Sequence, residues 1–145
     1  MKRTPLFPQT PTLDELGLVG SITAQVRRLE TPEGPHITID VPERLPVLRA
    51  ATEAAVHRIV TEAVTNAVRH ANARTIRVRL AADGARTLVV EVRDDGDGIP
   101  LGGEPGVGTV SMRERAEELG GRCEIGQADR AGTRVRAVLP LEEVR

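Results

Sequence analysis

Apolar residues recur along the stretch from Ala51 to Ala71 with the period of a helix. Val56, Ile59, Val60, Ala63, Val64, Ala67, Val68 and Ala71 fall on one stripe. No Gly or Pro interrupts the stretch, which is long enough for more than about five turns at roughly 3.6 residues per turn. Arg58, Thr61, Thr65 and Arg69 lie on the opposite side. Along the margin of the stripe run Glu62, Asn66 and His70, each four residues from the next, so their side chains stack in one column. A carboxylate, an amide oxygen and an imidazole at the edge of a core could hold a metal–phosphate group. A solvated helix edge laced by helical hydrogen bonds explains the same spacing.

The remaining pattern divides into shorter pieces. Residues 1–11 hold three prolines and no periodicity and read as a mobile tail. Thr12 to Glu15 matches a capping box, with Thr12 as N-cap. It opens a helix expected to run to about Glu30, with Leu18, Ile22, Val26 and Leu29 on one face. Gly17 and Gly20 weaken its first turns. After the breaker Thr31–Pro35, Ile37, Ile39 and Val41 alternate with Thr38 and Asp40, which predicts a half-buried strand. Beyond the long helix, Ile76, Val78 and Leu80 alternate with Arg77 and Arg79 over 75–80. A turn signal at Asp83-Gly84 leads to a second strand over about 87–93, completing an antiparallel hairpin. The arginines read as a solvated sheet face. A helix is expected from about Thr109 to Leu119, ended by Gly120-Gly121, and two strands at about 122–126 and 133–139 close the chain. This order predicts an α/β fold: a two-layer sandwich of a mixed, mostly antiparallel sheet with helices on one face. The domain is expected over 31–141, with 142–145 as a tail.

Composition narrows the function. At 145 residues the chain fits one domain with a real core. The formal net charge of -1 makes neither nucleic acid nor an anionic membrane an obvious partner. No apolar run is long enough to span a bilayer, and the N-terminus lacks a signal-peptide core. Cys123 is the single cysteine, so there is no internal disulfide, which suits a reducing cytoplasm. Lys2 is the only lysine, so a P-loop cannot be built. Phosphate handling must therefore rest on backbone N–H groups, arginine, histidine or a metal. Phe7 is the only aromatic residue, which leaves no stacking platform for single-stranded nucleic acid.

Two glycine-rich loops carry further chemistry. Asp94 stands where a strand runs into Gly96 and Gly98, glycines that allow a ligand to approach the backbone closely. A carboxylate there can accept a hydrogen bond from an amino group such as that of adenine, although a plain acidic turn fits too. A calcium loop fits poorly: Gly96 falls where an oxygen ligand is needed. Gly106 and Gly108 lead toward a helix N-terminus, a place suited to anions or to an ordinary surface loop. Gly132-Thr133 opens the last strand and by itself says nothing.

Together these pieces resemble one family. Glu62–Ala71, with Asn66, Arg69 and His70, looks like the N box of the gyrase, histidine-kinase and mismatch-repair ATPase superfamily. Asp94-Asp95-Gly96-Asp97-Gly98 resembles its D-x-G-x-G box. The run from Gly106 to Arg115 resembles its second glycine box, with Ser111 where sensor histidine kinases that signal to helix-turn-helix response regulators usually have glycine. The resemblance covers about 13–141 and implies a histidine-kinase-type ATPase fold that binds ATP and Mg²⁺. It implies that Asn66 offers its amide oxygen to Mg²⁺ and that Glu62 acts as base or orienting carboxylate. Arg69 and His70 would contact phosphates. Asp94 would accept the adenine amino hydrogen, with Thr133 supporting it through a hydroxyl or a water. Gly96 and Gly98 would shape the adenine floor, while Gly106 and Gly108 flex in a lid.

Relatives carry a phosphoacceptor histidine on a helical hairpin. No such motif surrounds His36, His57 or His70, so the expected activity is donation of the γ-phosphoryl to a histidine on a partner hairpin, and from there to a response regulator. The alternative is a stand-alone serine kinase or nucleotide-dependent regulator like the anti-sigma-factor kinases. Because dimerisation normally resides in the hairpin, the chain alone is expected to be a monomer.

Overall fold

The computed structural model describes residues 13–42, 45–70, 72–84, 86–98, 107–128 and 130–141. In chain order these form α1 (Leu13–Leu29), β1 (His36–Asp40), α2 (Ala50–His70), β2 (Thr75–Asp83), β3 (Thr87–Asp94), α3 (Val107–Glu118), β4 (Arg122–Gln127) and β5 (Thr133–Pro140). The order matches that expected from the sequence. The sheet has five strands in the order β1-β2-β3-β5-β4. β1 runs parallel to β2, and the other neighbours are antiparallel. That is the mixed, mostly antiparallel sheet expected from the pattern.

Period-two alternation decides which side of the sheet is covered. Ile76, Val78 and Leu80 of β2 are buried, as are Leu88, Val90 and Val92 of β3 and Val135, Ala137 and Leu139 of β5. Their intervening neighbours Arg77 and Arg79 are exposed, so the arginine face is solvated as expected. The buried face meets the helix layer. Within α2, Val56, Ile59, Val60, Ala63, Val64 and Ala67 form the stripe read from the sequence and are all buried, with Val68 half-buried; Ala71 lies outside the described residues. The ends of α2 complement its dipole, with Glu53 in the first turn and Arg69 and His70 in the last. Met112 and Ala116 of α3 fill the same core.

Two expectations are corrected. The first helix is not continuous from residue 12: Gly17 takes φ 70°, ψ 177°, which breaks it, a conformation essentially restricted to glycine. The helix beyond it still buries Leu18, Ile22 and Val26. The Thr12 cap lies outside the described residues. The third helix begins at Val107 rather than near Thr109, so Gly108 belongs to its first turn. Other boundaries shift by a few residues. β2, for example, continues to Asp83, because its pairing with β3 extends to Asp83↔Thr87.

Candidate functional site

The apolar row of β3 ends in a carboxylate. Leu88, Val90, Val92 and Asp94 occupy successive positions on the helix-facing side, and Asp94 is only 8% exposed. Burying a carboxylate is costly unless it is hydrogen-bonded. Here Asp94 Oδ1 accepts bonds from the Gly96 N–H (2.9 Å) and the Thr133 N–H (3.2 Å). Its other oxygen, Oδ2, accepts none from the described residues. The carboxylate is thus fixed by one oxygen and presents the second.

Gly132 makes this arrangement possible, and sequence reasoning passed over it. A Cβ on Gly132 would lie 1.9 Å from the Asp94 carbonyl oxygen, and its φ is +91°. Strand β5 therefore enters the sheet hard against Asp94, with room for a hydrogen atom but not a methyl group. Gly98 (φ +81°) lies against the Gly132 carbonyl: a Cβ there would come within 3.3 Å. The only hint in the sequence was a Gly-Thr pair opening a strand. Thr133 joins the cluster as expected, though the contact seen is its backbone N–H on Asp94.

The second group lies on α2. Glu62 is half-buried and weakly paired with Arg58, Oε1 to Nη1 3.9 Å. Asn66 is half-buried, while Arg69 and His70 are exposed on the last turn. Topology brings this end of α2 to the Asp94 end of the sheet. The chain leaves α2 at His70 and enters β2 at Thr75, and the next residue, Ile76, pairs with Asp94. α2 itself packs over β3.

The short connection is held to the glycine loop. Asp95 Oδ1 accepts the N–H groups of Arg74 (2.8 Å) and Thr75 (2.9 Å), and the Asp95 N–H donates to the Thr75 carbonyl (3.3 Å). These bonds, the one from Thr75 foremost, hold the Asp95 carboxyl below its ordinary pKa. Asn72, in left-handed backbone (φ 53°), donates through Nδ2 to Asp97 Oδ2 (3.0 Å).

Gly108 sits in the first turn of α3, where free N–H groups are found; Gly106 lies outside the described residues. A cleft of about 630 Å³ opens between the helices, lined by Gln25, His57, Arg58, Thr61, Arg115 and Glu118 among others. It lies toward the first half of α2, and no residue of the Asp94 cluster lines it. Burial pushes the Cys123 thiol up to about 11, so it stays protonated at neutral pH and is no nucleophile. Among the described residues no helix is long and apolar enough to cross a membrane.

A two-layer sandwich with this strand order and this buried acidic strand end belongs to a recognisable class. Residues 51–143 match the family model described as histidine kinase-, DNA gyrase B-, and HSP90-like ATPase. The chain is 38% identical over 130 residues to the nitrate/nitrite sensor protein NarQ of Escherichia coli (strain K12), covering 86% of this chain and 22% of that protein. It is 33% identical over 133 residues to the sensor histidine kinase MctS of Rhizobium johnstonii, covering 88% of this chain and 28% of that protein. Among solved structures, full-length ShkA in complex with AMPPNP superposes with a TM-score of 0.73 at 18% identity, covering 89% of this chain and 30% of that one. The ATP-binding domain of PrrB from Mycobacterium tuberculosis gives 0.67 at 20% identity, covering 87% of this chain and 93% of that one. At such identities the structural likeness is one of fold. The chain belongs to the histidine kinase-, gyrase B- and HSP90-like ATPase family, and its fold is that of histidine-kinase ATP-binding domains.

Proposed function

We propose that this chain binds Mg·ATP at the Asp94 end of the sheet and donates the γ-phosphoryl to a histidine on a partner helical hairpin, which passes it to a response regulator. The observation that carries the reading is the half-committed Asp94 carboxylate: Oδ1 is held by two backbone N–H groups and Oδ2 is left to accept. An adenine amino group is a donor of the right kind for that oxygen. Family membership and the sensor-kinase relatives support the rest.

In this reading Gly96 and Gly98 let the base approach the backbone, while Gly132 lets β5 close on Asp94. Thr133 supports Asp94. Glu62 orients or deprotonates near the γ-phosphate, while Arg69 and His70 meet the phosphates. Gly106 and Gly108 belong to a lid whose helix offers N–H groups to the anion. The oxygen donor on α2, the Asn66 amide, suits magnesium, which takes one or two protein oxygens and completes its shell with phosphates and water. When bound there, magnesium would supply positive charge that offsets the charge of the phosphates. The chain's own residues would contribute chiefly positioning, as phosphoryl transfer generally requires. A cytoplasmic location and a monomeric state accompany the proposal.

Incubation with γ-labelled ATP and a dimeric acceptor hairpin tests it. Acid-labile, base-stable label on the hairpin is the expected result, lost in Asn66→Ala and Asp94→Ala. Label on serine, or no transfer despite tight partner binding, would favour a serine kinase or a sequestering regulator.

A further inference from the structure

Asp95 and Asp97 occupy the two variable places of the D-x-G-x-G motif, and nothing in the proposed nucleotide contacts uses them. Both turn away from Asp94's task and bind the connection that follows α2. Asp95 takes two successive backbone N–H groups, Arg74 and Thr75, on a single carboxylate oxygen at 2.8 and 2.9 Å. Its own N–H returns a bond to the Thr75 carbonyl. Asp97 receives the Asn72 amide. The connection between His70 and Thr75 is therefore bonded to the glycine loop at both ends: at Asn72, two residues beyond α2, and at Arg74–Thr75, where β2 starts.

We propose that Asn72, Asp95 and Asp97 form a bracket that sets the distance between the base end of the nucleotide site, at Asp94, and its phosphate end, on the last turns of α2. All three are positioning residues. The inference rests on the nucleotide reading above and deepens it. Its physical basis is that a ligand gripped at two ends loses affinity when the ends drift apart, while a ligand gripped at one end does not. Bonds from N–H groups to a carboxylate are the stronger kind, and here they join segments 20 and 21 residues apart in sequence. Asp94 keeps holds outside the bracket, the Thr133 N–H and its own strand pairing.

Two ligands of different length separate the cases. Adenosine needs only the base end; Mg·ATP needs both. By calorimetric titration of the full chain, Asp95→Ala should weaken Mg·ATP roughly tenfold or more and leave adenosine within about twofold. Asp95→Asn, which keeps a carbonyl acceptor, should restore most of the Mg·ATP affinity. Asn72→Asp sets two carboxylates face to face and should reproduce the Asp95→Ala pattern. The double variant Asn72→Asp/Asp97→Asn reverses donor and acceptor and should recover it. Circular dichroism and melting of each variant check that it is folded. Equal losses for adenosine and Mg·ATP would mean that the loop merely comes apart, and unchanged Mg·ATP binding in both Asp95→Ala and Asn72→Asp would mean that the bonds set nothing; either overturns the bracket alone. A wild-type chain that binds neither ligand overturns the nucleotide reading and the bracket with it.

Discussion

At the residue scale, Asp94 and Gly132 are opposite halves of one constraint. The carboxylate needs backbone N–H groups to remain buried, and the strand that supplies one of them can come close enough only if residue 132 has no side chain. Gly132→Ala adds a carbon 1.9 Å from a backbone oxygen at positive φ. It should lower stability by roughly 3 kcal/mol through overpacking and strain, read as a shift in the urea midpoint; a shift near zero would show that β5 can retreat at no cost. Asp94 also predicts base selectivity. A site built to accept an amino hydrogen rejects an analogue with a carbonyl there, so ATP should bind at least about a hundredfold more tightly than GTP. Equal affinities in a calorimetric comparison would remove Asp94 from the base site.

At the element scale, α2 serves the core and, in the proposed reading, the site. Its buried stripe anchors it to the sheet, while its margin carries Glu62 and Asn66. Ile59 is fully buried, and Ile59→Ala should cost about 2–5 kcal/mol. Arg58→Ala, by contrast, breaks only a loose pair between an exposed arginine head and the half-buried Glu62, 3.9 Å apart, and should cost about 1 kcal/mol or less. Chemical denaturation of both variants checks the contrast, and a costlier Arg58 would show that the pair matters more than its geometry suggests. His57, beside the helical cleft, has its pKa lowered below 6.5, first by burial and then by the neighbouring Arg58. A folded state that resists protonation is most stable above the ordinary histidine value and loses that advantage as pH falls through the depressed one. The urea midpoint should therefore drop as pH falls below the ordinary histidine value of about 6.5, and His57→Gln should flatten that slope. An unchanged slope would assign the acid loss to other groups.

At the scale of the whole molecule, the proposed site draws on widely separated parts of the chain: α2, the loop after β3 and the start of β5. A ligand that bridges them should stabilise the entire fold. At a concentration of Mg·ATP a hundred times its dissociation constant, mass action adds about 2.7 kcal/mol, a rise of several degrees in Tm for a domain of this size. A melting curve unmoved by Mg·ATP at millimolar concentration would count against the nucleotide site as a whole.

The elements were legible because hydrophobic period is a local property. The stripe from Val56 to Ala67 and the alternation in β2, β3 and β5 fix helix or strand within a few residues, and the alternating rows fix which face each strand buries. Alternation even carries Asp94 onto the helix side, one step past Val92, once the strand is known to reach it. Type and spacing made Glu62, Asn66, Asp94 and Gly98 candidates, and the resemblance to a family set them apart from a solvated helix edge and an acidic turn.

What could not be read locally depends on approach between distant segments. Gly132 looked like an ordinary turn glycine, because its constraint comes from the Asp94 carbonyl, 38 positions away in sequence. Asp95 and Asp97 looked like part of an acidic turn, and nothing in the local pattern singled out Asn72, because their partners belong to another element. The break at Gly17 was only a weakness in a helical pattern until the backbone chose its φ. Sequence alone determined the secondary elements, the faces they bury and the type of chemistry on offer. Only tertiary structure decided which backbone N–H groups meet which carboxylates, since a hydrogen bond depends on distance and direction rather than on position along the chain.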